Sequence, residues 1–206
     1  LPYYNFDKQL FSNFENGSIN FSSSGSNDLN NTNNLRTKII NDLNFQSSDI
    51  ITKFGFKNEY NIYMKNLNTI GKNDSLYKSS PQMEVMSIFE ANTSLPMINQ
   101  TEKNINYLTP KASIRFNPGD MKDYTSSDRS INVDGIFDIN RLAIDDSFEE
   151  GKSLTLGLEY KKNKLNDINN FFEAKIATVY RDKSENFIPR SSGIDSKDSN
   201  IFGSIS

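Results

Sequence analysis

The chain has 206 residues, of which 35% are hydrophobic, and a mean hydropathy of -0.64, so the apolar material for a soluble core of this size is thin. It contains no Cys and no His, which excludes a disulfide framework and classical Ser-His or Cys-His catalysis, and removes the commonest metal ligand. A net charge of -3 argues against a nucleic-acid partner, because phosphate binding needs a surplus of Lys and Arg.

Alternation of apolar and polar side chains predicts β-strands along most of the chain, because successive side chains of a strand point to opposite faces. No apolar run approaches the length of a membrane-spanning helix. The chain starts on one apparent strand and stops inside another, so we expect it to be a piece of a longer protein. In chain order, the predicted strands cover residues 1–7, 17–24, 35–45, 54–64, 83–95, 106–117, 152–162 and 171–181, and a partial strand begins at Ile201.

The connections between these strands are rich in turn-forming residues and differ in length. The stretch 22–34, which is almost entirely Ser, Asn and Gly, is the most loop-like of them. Long loops are predicted at 25–33, 65–81, 118–151 and 182–199, short turns at 47–49 and 164–169 (around Asn166-Asp167), and a moderate turn at 96–104.

The alternation is clearest in the segment 108–116, where Ile114 and Phe116 take one parity and Ser113 and Arg115 take the other. Such a ribbon has one apolar and one wet face. In the strand predicted at 83–95 the parity breaks, and a β-bulge near Val85-Met86 would restore it.

Long and short connections alternate, which is typical of outer-membrane barrels with long extracellular loops and short periplasmic turns. The order holds only if Gly135–Leu142 does not cross the membrane, so we place it in one extended extracellular loop from about 118 to 151. The strand lengths match the roughly 9–11 residues that a tilted spanning strand needs. The sequence therefore predicts an all-β fold, a single partial domain in which an antiparallel meander forms part of a transmembrane outer-membrane β-barrel, incomplete and open in this fragment.

Short motifs follow one another between residues 108 and 158. In order and spacing, and together with the Leu-Pro-Tyr-Tyr opening at 1–4, they resemble the barrel domain of the LptD family, the lipopolysaccharide-assembly proteins of the Gram-negative outer membrane. The motifs that carry the resemblance are Leu108-Thr-Pro-Lys111, Arg115, Asn117-Pro118, Gly135-Ile-Phe137, Asn140-Arg141-Leu142, Asp145, Glu149-Glu-Gly151 and Ser153-Leu-Thr-Leu-Gly-Leu158.

This resemblance implies a role in the translocon that inserts lipopolysaccharide into the outer leaflet, with no enzymatic activity and no cofactor. It also implies two protein partners: the plug lipoprotein LptE in the barrel lumen and the periplasmic bridge protein LptA. The expected location is the outer membrane. The motif residues of the long loop that we expect to matter are Phe137, Asn140, Arg141, Asp145 and Glu149.

Several cationic side chains fall on the polar parity of their predicted strands, and a cation on the lipid face near the midplane costs about 2–4 kcal/mol. We therefore expect them to face the lumen, where they either meet lipopolysaccharide phosphates or are ordinary solvated charges paired with Asp42, Glu59 and Glu84. These candidates are Arg36, Lys38, Lys53, Lys57, Lys111 and Arg115.

An acidic cluster in the long loop allows two interpretations. Carboxylates beside an amide could bind calcium, although no EF-hand spacing is present. Alternatively, Arg141 pairs with one carboxylate and folds the loop over the barrel mouth. The cluster comprises Asp138, Asp145, Asp146, Glu149 and Glu150, with Asn140 and Arg141 beside it.

Two other functional classes remain open from the sequence. One is a different outer-membrane barrel, such as a porin or a gated transporter. The other is a soluble β-sandwich adhesin or carbohydrate-binding module. An enzyme is the weakest alternative, because no nucleophile-base arrangement can be recognised.

Overall fold

The computed structural model describes residues 2–30, 33–74, 76–165 and 167–206. Eleven strands and one short 3-10 helix, Arg190–Ser192, are present in these residues. The strands are β1 Tyr3–Asn13, β2 Gly17–Asn30, β3 Asn34–Gln46, β4 Ile50–Ile51, β5 Lys57–Lys72, β6 Gln82–Ser94, β7 Met97–Gln100, β8 Asn104–Asn117, β9 Gly151–Lys164, β10 Asp167–Arg181 and β11 Phe202–Ile205.

All eleven strands belong to one sheet in the order β1-β2-β3-β5-β6-β8-β9-β10-β11, with β4 on β5 and β7 on β8. The registered pairings of the described residues are antiparallel. Sequence neighbours are therefore sheet neighbours, and β1 and β11 stand at the two ends of the order. The predicted all-β antiparallel meander, open rather than closed, is confirmed. A β-sandwich would need a second sheet stacked on this one.

The chain divides into two compact units, which are described separately. Unit 1 comprises Leu1–Ser48 and Asn61–Ile88, and unit 2 comprises Asp49–Tyr60 and Phe89–Ser206.

In unit 1, two predicted loops are wrong because the strands continue through them. Strand β2 runs to Asn30 and pairs residue by residue with β3, from Ser18 opposite Gln46 to Asn30 opposite Asn34. The connection shrinks to residues 31–33, of which Asn31 and Thr32 lie outside the described residues. Strand β5 likewise runs to Lys72, so the loop predicted at 65–81 begins only at residue 73, and Ser75 in it lies outside the described residues.

Smaller differences concern strand ends. Strand β5 begins at Lys57 rather than 54, and the two-residue strand β4 pairs with its first residues. Strand β7 forms a hairpin with β8 inside the turn predicted at 96–104. Strand β1 extends to Asn13. The turn predicted around Asn166-Asp167 falls partly on Asn166, which lies outside the described residues.

Strand β6 does not need the predicted bulge to explain its mixed parity. Val85 is exposed, whereas Met86 and Ile88 are buried. Alternate positions therefore remain on alternate faces, and both faces of this strand are apolar here. The parity breaks in the sequence because the face that includes Met86 packs against protein rather than against water.

Unit 1 has an outer face, which we define by the partly exposed apolar residues Ile39, Leu43, Met64 and Ile70. Across the middle of this face runs a row of hydrogen-bonded polar side chains, here called the amide ladder. Ser23 Oγ donates to Asn41 Oδ1 (2.7 Å), Asn41 Nδ2 donates to Asn66 Oδ1 (3.1 Å), and Asn68 Nδ2 donates to the same oxygen (2.6 Å).

The opposite, inner face of unit 1 is formed by the other parity and is largely polar. Lys65 and Thr69 are buried on it beside Leu67. Lys65 Nζ lies 2.7 Å from Asp42 Oδ1 of the neighbouring strand. This pairing is one of the cross-strand ion pairs expected on a wet strand face.

In unit 2, β8, β9 and β10 present their even-numbered side chains on one outer face. Ile114 lies opposite Leu154, and Leu158 lies opposite Ile176. Ile114 is 60% exposed, and Leu154, Leu156, Leu158 and Ile176 are also exposed, so the described residues leave this apolar face largely uncovered. The alternation predicted from the sequence is thus present in space.

The odd-numbered, inner face of the same strands is covered by the two loops 118–150 and 182–201. Residues 118–150 contain no strand. Their apolar side chains meet those of the second loop in front of β10 and form a dry core, because water-filled space is replaced by close-packed side chains. This core comprises Met121, Val133, Ile136, Leu142, Ile144, Ala177, Val179, Ile188 and Ile194.

A tight turn sets the path of the first loop. Asn140 donates from Nδ2 to the carbonyl of Ile144 (2.9 Å) and accepts the Ile144 amide on Oδ1 (3.1 Å). Ala143, between them, has φ 51, in the left-handed region that non-glycine residues rarely adopt. The Asn140 side chain holds this turn closed, so that Arg141 and Leu142 both point into the buried interior.

Candidate functional site

The candidate site lies on the inner face of unit 2, where one buried carboxylate collects three arginines. Glu149 Oε2 accepts a hydrogen bond from Arg141 Nε at 2.6 Å, and Glu149 Oε1 accepts from Arg141 Nη2 and Arg181 Nη1. Arg115 Nη1 lies 3.8 Å from Glu149 Oε2. We call these four residues the Glu149 cluster.

The sheet register places two of the arginines in one row. Arg115 on β8 lies opposite Ser153 on β9, and Ser153 lies opposite Arg181 on β10. Arg141, from the loop, donates to Ser153 Oγ at 3.1 Å and to Thr155 Oγ1 at 2.9 Å. The three strands β8, β9 and β10 are here called the wall. Arg141 therefore joins the loop to the inner face of the wall by charge-assisted hydrogen bonds to strand side chains, which alternate with the apolar side chains of the outer face.

Burial and the neighbouring charges shift the pKa values of Glu149 and Arg141 in opposite directions. Burial alone would raise the pKa of Glu149, but Arg141, Arg181 and Arg115 together hold it well below its usual range. Burial lowers the pKa of Arg141 to about 10, with Glu149 opposing that shift. Both groups are therefore charged at neutral pH, and neither can lose its partner without leaving a buried charge behind.

Arg115 also joins the cluster to a neighbouring strand and to the loop backbone. Its Nη2 atom lies 2.6 Å from Glu90 Oε1 of β6 and 2.6 Å from the carbonyl oxygen of Asp138. Arg115 is 2% exposed, so this guanidinium is shielded from solvent. Burial raises the pKa of the Asp138 carboxyl.

A second contact between the loop and the wall lies at Phe137. A Cβ atom at Gly157 on β9 would lie 2.7 Å from Phe137 Cζ, so the ring sits directly on the glycine. Lys111 Nζ is 5.7 Å from the centre of the same ring and 2.6 Å from Glu159 Oε1. The absence of a side chain at Gly157 is what lets the ring approach the strand.

At the other end of the cluster, Lys183 lies between two carboxylates. Its Nζ is 3.6 Å from Glu150 Oε1 and 3.4 Å from Glu185 Oε2. Burial, and next the nearby charge of Glu150, raise the pKa of Glu185. This group links the loop 118–150 to the loop 182–201.

Comparison with protein families gives one match over the entire chain. The model of the LptD family, described as LPS transport system D, matches residues 1–206. The chain belongs to the LptD family. A search of curated proteins found no match to it.

Membership in the LptD family places the open sheet in a transmembrane outer-membrane β-barrel and the chain in lipopolysaccharide transport. The family is one of transport and assembly proteins rather than enzymes. No helix within the described residues is long and apolar enough to cross a membrane.

The predicted cations of this LptD-family chain have different surroundings. Arg36 lies on the inner parity of β3, with Nε 2.7 Å from Asp74 Oδ2, and Lys38 lies on the same parity. Lys53 is not on a strand; it is exposed in the turn before β5, because β5 starts at Lys57. Lys57 pairs with Asp49 at 2.9 Å on the surface.

The motif residues of the loop come together, with one exception. Two of them contact the wall directly: Phe137 packs on Gly157, and Arg141 donates to Thr155. The other two hold these residues in place, since Asn140 closes the turn beside Arg141 and Glu149 pairs with Arg141. Asp145 is exposed. A calcium site is not supported, since within the described ranges no three His, Cys, Asp or Glu residues are grouped to hold a metal ion.

Sequence reasoning missed Arg181 and Glu90, which complete the buried network. Arg181 ends the predicted strand 171–181 on the same parity as Ala177 and Val179, and that parity was the available signal. Glu90 was hidden by the mixed parity of its strand. Glu90 becomes visible once β6 is aligned with β8, and Arg181 becomes visible once β9 is aligned with both β8 and β10.

Proposed function

We propose that this chain forms part of the wall of the outer-membrane translocon that inserts lipopolysaccharide into the outer leaflet. In this proposal the outer faces contact membrane lipid, and the inner faces line the lumen. The loop 118–150 belongs to the extracellular side and folds inward over the wall. Localisation in the outer membrane follows from the same proposal.

The observation that carries it is the two-sided wall of β8, β9 and β10. One side exposes Ile114, Leu156 and Leu158, and the other buries Arg115 and its partners under a folded loop. Such a wall suits membrane lipid on its apolar side and a polar lumen, partly covered by the loop, on its other side.

The proposed partners are the plug lipoprotein LptE and the periplasmic bridge protein LptA. Support for a luminal partner comes from the inner face of β2, where small polar side chains repeat at every second position. These residues are Ser18, Asn20, Ser22, Ser24 and Ser26.

Depletion of the full-length protein in its host cell tests the transport role. We expect lipopolysaccharide at the cell surface to fall while newly made lipopolysaccharide accumulates inside, and a wild-type copy to restore export. Unchanged surface lipopolysaccharide after depletion would contradict the proposal.

Cysteine labelling tests the assignment of the faces, and the chain offers a clean background because it contains no Cys. We expect Ile114→Cys to react only with a lipid-soluble reagent and Lys111→Cys to react with a water-soluble one. The reverse pattern would exclude the proposed orientation of the wall.

A further inference from the structure

A cavity of about 230 Å³ lies in unit 2 beside Phe137, on the periplasmic side of the Glu149 cluster in the proposed orientation. It lies between the start of β5, the end of β6 and the middle of β8, and the loop 118–150 contributes only the aromatic ring. The residues that line it are Lys57, Glu59, Asn92, Thr93, Ser94, Lys111, Ala112 and Phe137.

The register of β6 and β8 forms its base. Ser94 lies opposite Lys111, and Asn92 lies opposite Ser113, so the polar side chains of both strands rise from the same inner face. Phe137 supplies an apolar wall, and its position is fixed by the close approach to Gly157. The cavity thus combines one aromatic surface with several hydrogen-bonding groups.

The charges around the cavity do not favour an anion. Lys111 pairs with Glu159 at 2.6 Å, and Lys57 pairs with Asp49 at 2.9 Å. Both ammonium groups that line the cavity are therefore already paired with a carboxylate. A phosphate would have to displace one of these carboxylates, whereas an uncharged ligand leaves both ion pairs in place.

A neutral ligand rich in hydroxyl groups matches the hydrogen-bonding capacity. Paired carboxylates and ammonium groups keep spare acceptor and donor positions, and a hydroxyl group can use either. Asn92 donates from Nδ2 to Glu90 Oε2 at 3.0 Å, while its buried Oδ1 accepts no hydrogen bond from the residues that the structure describes. That oxygen is an acceptor suited to a hydroxyl donor.

The volume of the cavity suits about one ring. Pockets for drug-sized molecules occupy roughly 300–1,000 Å³, and this cavity is smaller at about 230 Å³. An acyl chain would also find too little apolar surface, because Phe137 and Ala112 are the only apolar residues among those that line it.

We propose that this cavity binds one uncharged sugar ring of the glycolipid that the translocon exports. The inference rests on the proposed function. It adds that the wall itself contacts the saccharide part of the substrate, beneath the folded loop, through the end of β6 and the middle of β8.

Photocrosslinking in the full-length protein tests the site. A small aliphatic amino acid that carries a photoreactive diazirine replaces Ser94 in the cavity, Lys38 on the inner face of unit 1, or Ile114 on the outer face of unit 2. Each is irradiated in cells that make complete lipopolysaccharide and in cells whose lipopolysaccharide lacks the outer sugars. We expect an adduct with complete lipopolysaccharide at Ser94, reduced about tenfold with the truncated form, since loss of the ring's hydrogen bonds is worth about that factor.

A second variant separates binding from folding. Asn92→Leu removes the free acceptor, and we expect it to lower the Ser94 adduct several-fold while the Lys38 adduct stays unchanged. Equal Ser94 adducts with complete and truncated lipopolysaccharide, or no Ser94 adduct where Lys38 gives one, would overturn the sugar site alone. Absence of adducts at both inner positions, with normal surface lipopolysaccharide after depletion, would overturn the transport role as well.

Discussion

The ring of Phe137 rests on the backbone of Gly157, where a Cβ atom would come within 2.7 Å of Phe137 Cζ. This contact predicts that Gly157→Ala weakens docking of the loop 118–150 on the wall. Overpacking of this kind costs about 1–3 kcal/mol. Limited proteolysis of the full-length protein in detergent should cut the loop faster in the variant.

Gly203→Ala is the matched control for that variant. Gly203 is also a strand glycine, but an added Cβ would meet only the carbonyl oxygen of Lys175 at 3.4 Å, which is an ordinary contact. We expect wild-type proteolysis in Gly203→Ala. Equal protection of the loop in Gly157→Ala and in the wild type would show that the ring moves aside at no cost.

Removing the charge of Glu149 should release the loop. Glu149→Gln leaves buried guanidinium groups without their counter-charge, and breaking one partner of a buried ion pair costs about 3–5 kcal/mol. The exposed carboxylate of Asp145 in the same loop provides the control, and Asp145→Asn should behave as the wild type. The measurement is again the proteolysis rate of the loop, with unfolding of the whole barrel followed in parallel.

The low pKa of Glu149 also predicts a pH dependence with a definite sign. A carboxyl whose pKa is lowered by folding stabilises the folded state above its ordinary value of 4.5, and this contribution is lost as the pH falls below that value. Protection of the loop should therefore decline on acidification below about pH 4.5 in the wild type. In Glu149→Gln this part of the decline should be missing; an unchanged acid profile would contradict the assignment.

Glu185 should show the opposite behaviour. Its pKa is raised, chiefly by burial, so the folded state prefers the protonated form, and its charge destabilises the folded state as the pH rises through that pKa. Glu185→Gln should therefore raise the melting temperature at neutral pH and lose this advantage below about pH 4, where the wild-type carboxyl is protonated as well. A lower melting temperature at neutral pH would mean that the pairing with Lys183 outweighs the cost of burial.

The amide ladder of unit 1 predicts a non-additive effect. Asn41→Leu removes the partner of Ser23 and of Asn66, and an unsatisfied polar group costs about 1–3 kcal/mol. Asn41→Leu/Asn66→Leu replaces both partners of one bond, so the double variant should lose less stability than the sum of the single variants. Urea unfolding in detergent gives the three free energies, with the volume-conserving Ile39→Leu as control. If the losses in the free energy of unfolding simply add, Asn41 and Asn66 do not stabilise each other.

Strand positions in unit 2 could be predicted from the sequence because its two faces differ in polarity. Ile114 and Arg115 alternate so regularly that register and sidedness follow from parity alone. In unit 1 the same method failed between Gly25 and Asn30, since small polar residues occupy both faces and resemble a loop. Hydrogen bonding between neighbouring strands, and not apolar burial, holds that stretch extended.

The site could be predicted only in part. The pairing of Arg141 with a carboxylate of its own loop follows from sequence proximity, eight residues apart in the case of Glu149. Arg181 is 32 residues from Glu149, and only the strand register brings the two together. The dry core of the loops was also not predictable, because its apolar residues are scattered among turns without a period.

Covering of the inner face by loops has a mechanical consequence. Strands β8 to β10 carry a second layer formed by the loops 118–150 and 182–201, whereas β1 is exposed along its whole length. Strands with few buried contacts open most readily. Amide hydrogen exchange should therefore be fast in β1 and slow in β8 to β10.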